Sequence, residues 1–150
     1  MYKAYKFLDE RGFTLGELLT GVALFGILAA IALPNFSRTL PGLRLGDGAR
    51  QIASDLQQLR MKAIAQNTPY QITFSSSTYL LQRCSGTCTS DSGNIALPTG
   101  ITATASAVPQ FQARGTASAA VTITVTNGTS SKYVCVKTVG RISVQDAVCS

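Results

Sequence analysis

The sequence contains no histidine, and charged residues make up only 13% of it. Beyond residue 12 the carboxylate side chains are Glu17, Asp47, Asp55, Asp91 and Asp146 alone. Without histidine, neither a Ser-His nor a Cys-His nucleophile pair can be built. A metal centre would have to draw on four cysteines or on widely spaced aspartates. No enzymatic activity, resident metal or cofactor is therefore expected. The chain is also short: its 150 residues suffice for one domain with its own core and little more. Its formal charge of +6 is scattered along the chain rather than clustered. Such a surplus favours solubility and weak attraction to anions without marking a nucleic-acid binder.

What the chain has in excess is apolar residues, at 45%, and much of that excess sits in one block. Residues 13–33 read FTLGELLTGVALFGILAAIAL, with Glu17 as the single charge. As a helix rising about 1.5 Å per residue, the block would reach about 30 Å, the thickness of a bilayer core. A cleaved secretory signal is the alternative. The run exceeds the usual apolar core of such a signal, however, and no A-x-A site precedes a mature start. Lys3, Lys6 and Arg11 precede the run and Arg38 and Arg44 follow it, a slight excess of cations on the N-terminal side. Glu17 is the informative residue, because a carboxylate in a membrane helix costs about 2.5–3.5 kcal/mol. It either reaches the interface or finds a partner inside an assembly, and what precedes it favours the second.

The leader MYKAYKFLDERG ends in Arg11-Gly12, and Phe13-Thr14-Leu15-Gly16-Glu17-Leu18 follows. This string resembles the processing site of type IV prepilins and type II secretion pseudopilins. The resemblance implies a membrane peptidase that cuts after Gly12 and N-methylates Phe13 as the mature N-terminus. It also implies that the Glu17 carboxylate meets the N-terminal amine of a neighbouring subunit. Two charges that are each costly in lipid become tolerable as a pair. Gly16 departs from the bulkier aliphatic residue that many members carry there.

Further along, Pro34, Pro41, Gly42, Gly46 and Gly48 predict a bent or loosened connection over 34–48. Ala49, Ile52, Leu56, Leu59 and Ala63 then recur at spacings of three and four, one face of a helix that packs on a sheet. Asn67-Thr68-Pro69 ends it. Strands are expected over 70–74 and 79–83 around a triple-serine break, with a weaker one over 101–105. Residues 121–126 alternate strictly between apolar and threonine, and Asn127-Gly128 is expected as a two-residue hairpin turn returning through a strand at 132–137. In that strand Val134 and Val136 share one face and Tyr133 and Cys135 the other, which suits cover on both faces. Gly140 allows a sharp turn into a last strand over 141–144. Asn127-Gly128-Thr129 also matches a glycosylation sequon, for which the hairpin is sufficient explanation.

Cys84, Cys88, Cys135 and Cys149 all follow the apolar block, an even count consistent with two disulfides in an oxidising compartment. Three pairings are possible. Cys84–Cys88 with Cys135–Cys149 is preferred, because each bond closes a short local loop. A four-cysteine zinc site is the rival, against which stands the absence of C-x2-C pairs.

The run Phe111-Gln112-Ala113-Arg114-Gly115, the alternating strand, Asn127-Gly128, and Gly140-Arg141-Ile142-Ser143-Val144 together resemble the GspH/FimT branch of minor pilins. Some members of that branch bind DNA through a glycine-arginine-x-arginine motif. Here Arg141 is present but Ser143 takes the second position, so half the motif is missing. Arg114, Lys132 and Lys137 are the other candidate phosphate contacts, and a solvated or structural Arg141 is preferred. The expectation is an α+β fold: a long N-terminal helix, transmembrane in its first half, packed on an antiparallel sheet. The expected parts are a leader over 1–12, a membrane and assembly helix over 13–33, the connection over 34–48 and a periplasmic domain over 49–150. The expected function is that of a minor pilin or pseudopilin, a structural subunit of a type IV pilus or type II secretion pseudopilus. It would sit single-pass in a bacterial inner membrane with its C-terminal domain periplasmic, then enter the filament. Its partners would be other pilin subunits, the prepilin peptidase and an inner-membrane assembly platform. Two rivals remain, a pilus-tip DNA-binding subunit and a membrane-anchored domain that never polymerises.

Overall fold

A computed structural model describes residues 13–149, and the side chains of 32–38 lie outside that description. The chain divides into two compact units, Met1–Arg38 and Thr39–Ser150. One helix, α1 (Leu15–Ala65, 51 residues), contributes to both. Nine strands follow: β1 (Tyr70–Ser75), β2 (Thr78–Ser85), β3 (Thr87–Ser90), β4 (Ile95–Ala96), β5 (Thr102–Ala105), β6 (Gln110–Phe111), β7 (Val121–Thr126), β8 (Ser131–Val136) and β9 (Ile142–Gln145).

The irregular connection expected over 34–48 is corrected, because these residues are helical and belong to α1. The domain boundary moves with it, since the second unit begins at Thr39 rather than at 49. Packing accounts for both changes. Leu45 and Ala49 are buried in the core of this unit. At Gly48 an added Cβ would lie 3.1 Å from Ile101 Cγ2 and 3.7 Å from Val125 Cγ1. The glycine that reads as a helix breaker is a point where α1 presses on β7 and the segment leading into β5. Its weak helix propensity, about 1 kcal/mol below alanine, is outweighed by that contact.

Downstream the helix face behaves as its spacing predicts. Ala49, Ile52, Leu56, Leu59 and Ala63 are fully buried. Each large aliphatic among them contributes about 1.5–3 kcal/mol by leaving water. The helix ends in a closed cap: Asn67 takes a φ of 48°, its N–H donates to Ile64 O, and Thr68 N–H donates to Ala63 O. Two otherwise orphaned carbonyls are satisfied, and Pro69 follows where no further helix can form.

The antiparallel strands form two sheets, not the single sheet expected. The first has the order β3-β2-β1-β6, with β4 also pairing β2, and the second has the order β5-β7-β8-β9. The break falls between β1 and β5. β6 pairs with β1 only at Tyr70↔Phe111 and Gln71↔Gln110. Past that point Ile72 N–H donates to Pro109 O, and Ala103 N–H donates to Ser76 O. Five residues, 104–108, thus stand opposite three, 73–75, and ladder pairing cannot continue across such a mismatch. Tyr70, Ile72, Tyr79, Leu81 and Phe111 from the first sheet join Ala103, Ile123, Val125, Val134 and Val136 from the second in one core under α1.

Candidate functional site

Gly12 and the leader lie outside the described residues. Phe13 is 89% exposed, and Thr14 stands one residue before α1 as its N-cap. Glu17 N–H donates to Thr14 Oγ1 at 3.2 Å, and Thr14 N–H donates to Glu17 Oε2 at 3.1 Å. The Thr14 hydroxyl also donates to the same carboxylate oxygen. This is a reciprocal capping box, with Glu17 in the first turn where the helix dipole favours a negative charge. Thr14 was missed as a functional residue, although the Thr-x-x-Glu spacing carries the signal. Past Glu17 the large apolar side chains Leu18, Leu19, Val22, Leu24, Phe25, Ile27, Leu28 and Ile31 are all exposed. Among the described residues no helix is long and apolar enough to cross a membrane. The apolar run in the sequence continues through Leu33, past Ile31, where the described side chains stop.

In the second unit the four cysteines form two local disulfides, Cys84–Cys88 and Cys135–Cys149. All four thiols are thereby used, which leaves none for zinc. Cys84 and Cys88 are directly opposed across β2 and β3, with Cα atoms 4.0 Å apart. Cys135 lies in β8, an interior strand, and its bond to Cys149 brings the tail over the outer face of that sheet. Cys135 is buried for that reason, between Val134 and Val136. The bond closes a loop of sequence separation 14. A Cys135→Ser/Cys149→Ser double variant is expected to lose about 3 kcal/mol of stability in the chain-entropy treatment, visible as a lower urea midpoint. An unchanged midpoint would make the bond incidental to stability.

A further cluster joins helix to sheet. Tyr79 is buried, its hydroxyl donates to Asp55 Oδ2, and Gln51 Nε2 donates to Tyr79 Oη at 3.0 Å and to Ala96 O at 3.1 Å. Burial, and after it the Asp55 carboxylate, push the phenol well above its ordinary value, so it remains a protonated donor. The arrangement fixes position and offers no nucleophile. Among the described residues no group of three or more potential ligands could hold a metal ion.

The glycine-arginine segments singled out in the sequence meet in space. Arg60 of α1 donates its Nε–H to Gly115 O at 2.8 Å. Gly115 and Gly140 have φ of 80° and 81°. A Cβ on Gly140 would fall inside contact distance of Gly115 O and 2.8 Å from Arg60 Nε. A Cβ on Gly115 would fall 2.6 Å from Ile64 Cδ1. Two left-handed turns therefore abut through main-chain atoms, clamped by a helix arginine. Arg114 precedes one glycine, and Lys137 and Arg141 bracket the other. Lys132 stands apart at the far end of β8, ion-paired with Asp146. Of the four candidate phosphate contacts, three stand on the two abutting turns and one does not. Asn127 at the sequon is occupied by its turn: Oδ1 accepts from Thr129 and Ser130 N–H, and Nδ2 donates to Pro41 O at 3.3 Å.

This architecture, a long helix on antiparallel sheets, is that of minor pilins and pseudopilins. The type IV minor pilin FimU of Pseudomonas aeruginosa superposes with a TM-score of 0.59 at 18% identity, over 71% of this chain and 92% of that one. The minor pseudopilin EpsH of the Vibrio cholerae type 2 secretion system superposes with a TM-score of 0.60 at 10% identity, over 69% of this chain and 97% of that one. Residues 48–140 match the family described as Type II transport protein GspH, and the chain belongs to that family. In sequence it is 41% identical over 66 residues to the Type IV major fimbrial protein FimA of Dichelobacter nodosus. That alignment covers 39% of this chain and 41% of the relative, so the chain spans less than half of that protein's length.

Proposed function

We propose that the chain is a minor pilin or pseudopilin, a structural subunit of a type IV pilus or type II secretion pseudopilus that catalyses no reaction. Residues 1–12 are a leader removed by prepilin peptidase after Gly12, and Phe13 becomes an N-methylated terminus. The apolar N-terminal half of α1 anchors the precursor in the bacterial inner membrane with the second unit in the periplasm. Other pilin subunits and the inner-membrane assembly platform then take it into the filament, where Glu17 faces a neighbour's terminal amine. The observation that carries this function is the position of Glu17. It stands in the first turn of a helix whose next large side chains are exposed and apolar, ahead of a GspH-family domain. A single carboxylate at the head of such a surface is costly in lipid and useful in an assembly of like helices.

Intact-mass measurement on protein purified from its native membrane tests the processing. The expected mass is that of residues 13–150 carrying one added methyl group, with both disulfides formed. A mature chain that starts elsewhere overturns the prepilin assignment.

A further inference from the structure

Four cations meet where the two glycine turns touch. Arg60 holds the Gly115 carbonyl, and Arg114 is the preceding residue in the same turn. Lys137 accepts from Gly140 N–H and donates its own N–H to Arg141 O, so both basic residues belong to the second turn. Arg114 and Arg141 are exposed and Lys137 is half-buried. Among the described residues none of these three enters an ion pair, whereas Lys62 and Lys132 are paired with Asp91 and Asp146. The main-chain contact between the turns therefore sets Arg114 on one turn beside Lys137 and Arg141 on the other, so that unpaired like charges rise from adjoining backbone.

Aliphatic surface lies among these charges. Ile64 is 49% exposed beside Gly115, and Val139 is 68% exposed next to Gly140. A phosphate backbone would engage the cations and gain nothing from either aliphatic side chain. Exposed aliphatic side chains interspersed with basic ones are instead what a protein partner can use, burying the first and pairing the second. We propose that this surface docks an acidic segment of a partner protein that also presents an apolar side chain to Val139 and Ile64. Naming that partner as a neighbouring filament subunit rests on the function proposed above; the chemistry of the surface does not.

Fluorescence anisotropy on the full-length processed chain in detergent micelles tests this. The probes are a short glutamate peptide with one central phenylalanine, the same peptide with glutamate at its centre, and a duplex DNA. The phenylalanine peptide is expected to bind best. The Arg114→Ala/Lys137→Ala/Arg141→Ala variant should weaken it about tenfold through loss of charge complementarity. Val139→Ser should weaken the phenylalanine peptide severalfold and leave the all-glutamate peptide unchanged. All four substituted side chains are exposed or half-exposed, and melting curves verify that the variants fold. Peptide binding that survives the triple substitution overturns the proposal. So does DNA binding as strong as that of the peptide together with indifference to Val139→Ser, which would make the surface a polyanion site. The mass of the mature chain does not depend on either result, so failure here is distinguishable from failure of the subunit assignment.

Discussion

Gly140→Ala is expected to be among the most damaging single substitutions in the second unit, at about 3–5 kcal/mol. Two costs combine. Alanine at a φ of 81° is strained by about 1 kcal/mol. Its Cβ would also press on the Gly115 carbonyl oxygen, which is main chain and cannot rotate away. To relieve the clash the 112–115 turn must move, and the Arg60 hydrogen bond at 2.8 Å moves with it. A domain holds only about 5–15 kcal/mol in total, so the melting temperature should fall by roughly 15 °C or more. Gly128→Ala is the matched control. Its φ of 87° is as unfavourable, but nothing lies within 4 Å of the added carbon. That variant should lose about 1 kcal/mol only. Thermal melts of the two full-length variants, side by side, decide the matter. Equal losses would mean that the contact between the turns carries no weight.

Glu17→Ala should leave membrane insertion intact or improved and reduce incorporation into filaments, on the order of tenfold or more. Insertion gains because a costly carboxylate has gone. On the proposed function, assembly loses because the amine of Phe13 in a neighbouring subunit would be left without its counter-charge where the dielectric is low. The capping box adds a second consequence, since the same substitution frees Thr14 N–H and frays the first turn, worth about 1 kcal/mol. Thr14→Ala separates the two effects by removing the cap while keeping the carboxylate. The ratio of protein in sheared filaments to protein in membranes should fall steeply for Glu17→Ala and mildly for Thr14→Ala. Equal ratios for wild type and Glu17→Ala would favour an anchor that does not polymerise.

The parts of the fold written in a repeating pattern were readable in advance. The alternation over 121–126 became β7, with Val121, Ile123 and Val125 buried. The hairpin into β8 is also there, but the two-residue turn expected at Asn127-Gly128 is a four-residue loop, 127–130, between the paired Thr126 and Ser131. The stripe from Ala49 to Ala63 became the buried face of α1. What escaped had no period to detect. β4 and β6 are two residues each and exist because a partner strand is there to receive them. β3 is exposed along its whole length, so burial leaves no trace in its composition. Gly48 was misread because its breaker character is local, whereas the contact with Ile101 that justifies it is 53 positions away (101 − 48). The Arg60–Gly115–Gly140 contact was hidden for the same reason. Its hydrogen bond joins residues 55 positions apart, and only the helix-to-sheet packing brings them together. In the N-terminal segment the residue types were legible but one role was not: the spacing of Thr14 and Glu17 also encodes a cap.

The β2–β3 ribbon carries a consequence for the integrity of the chain when it meets a protease. Its tip, residues 85–87, is exposed, and Gly86 sits at a φ of 85° between the bonded cysteines. Such a tip is where a protease finds the backbone easiest to engage. A cut there would fall inside the loop that Cys84–Cys88 closes, so the two fragments stay covalently joined. The strand pairing of Gln82 with Ser90 and of Arg83 with Thr89 would hold the ribbon in register behind the cut. The nicked protein would run as one chain until reduced, and a single scission at this exposed turn would not release the helix from the rest of the domain.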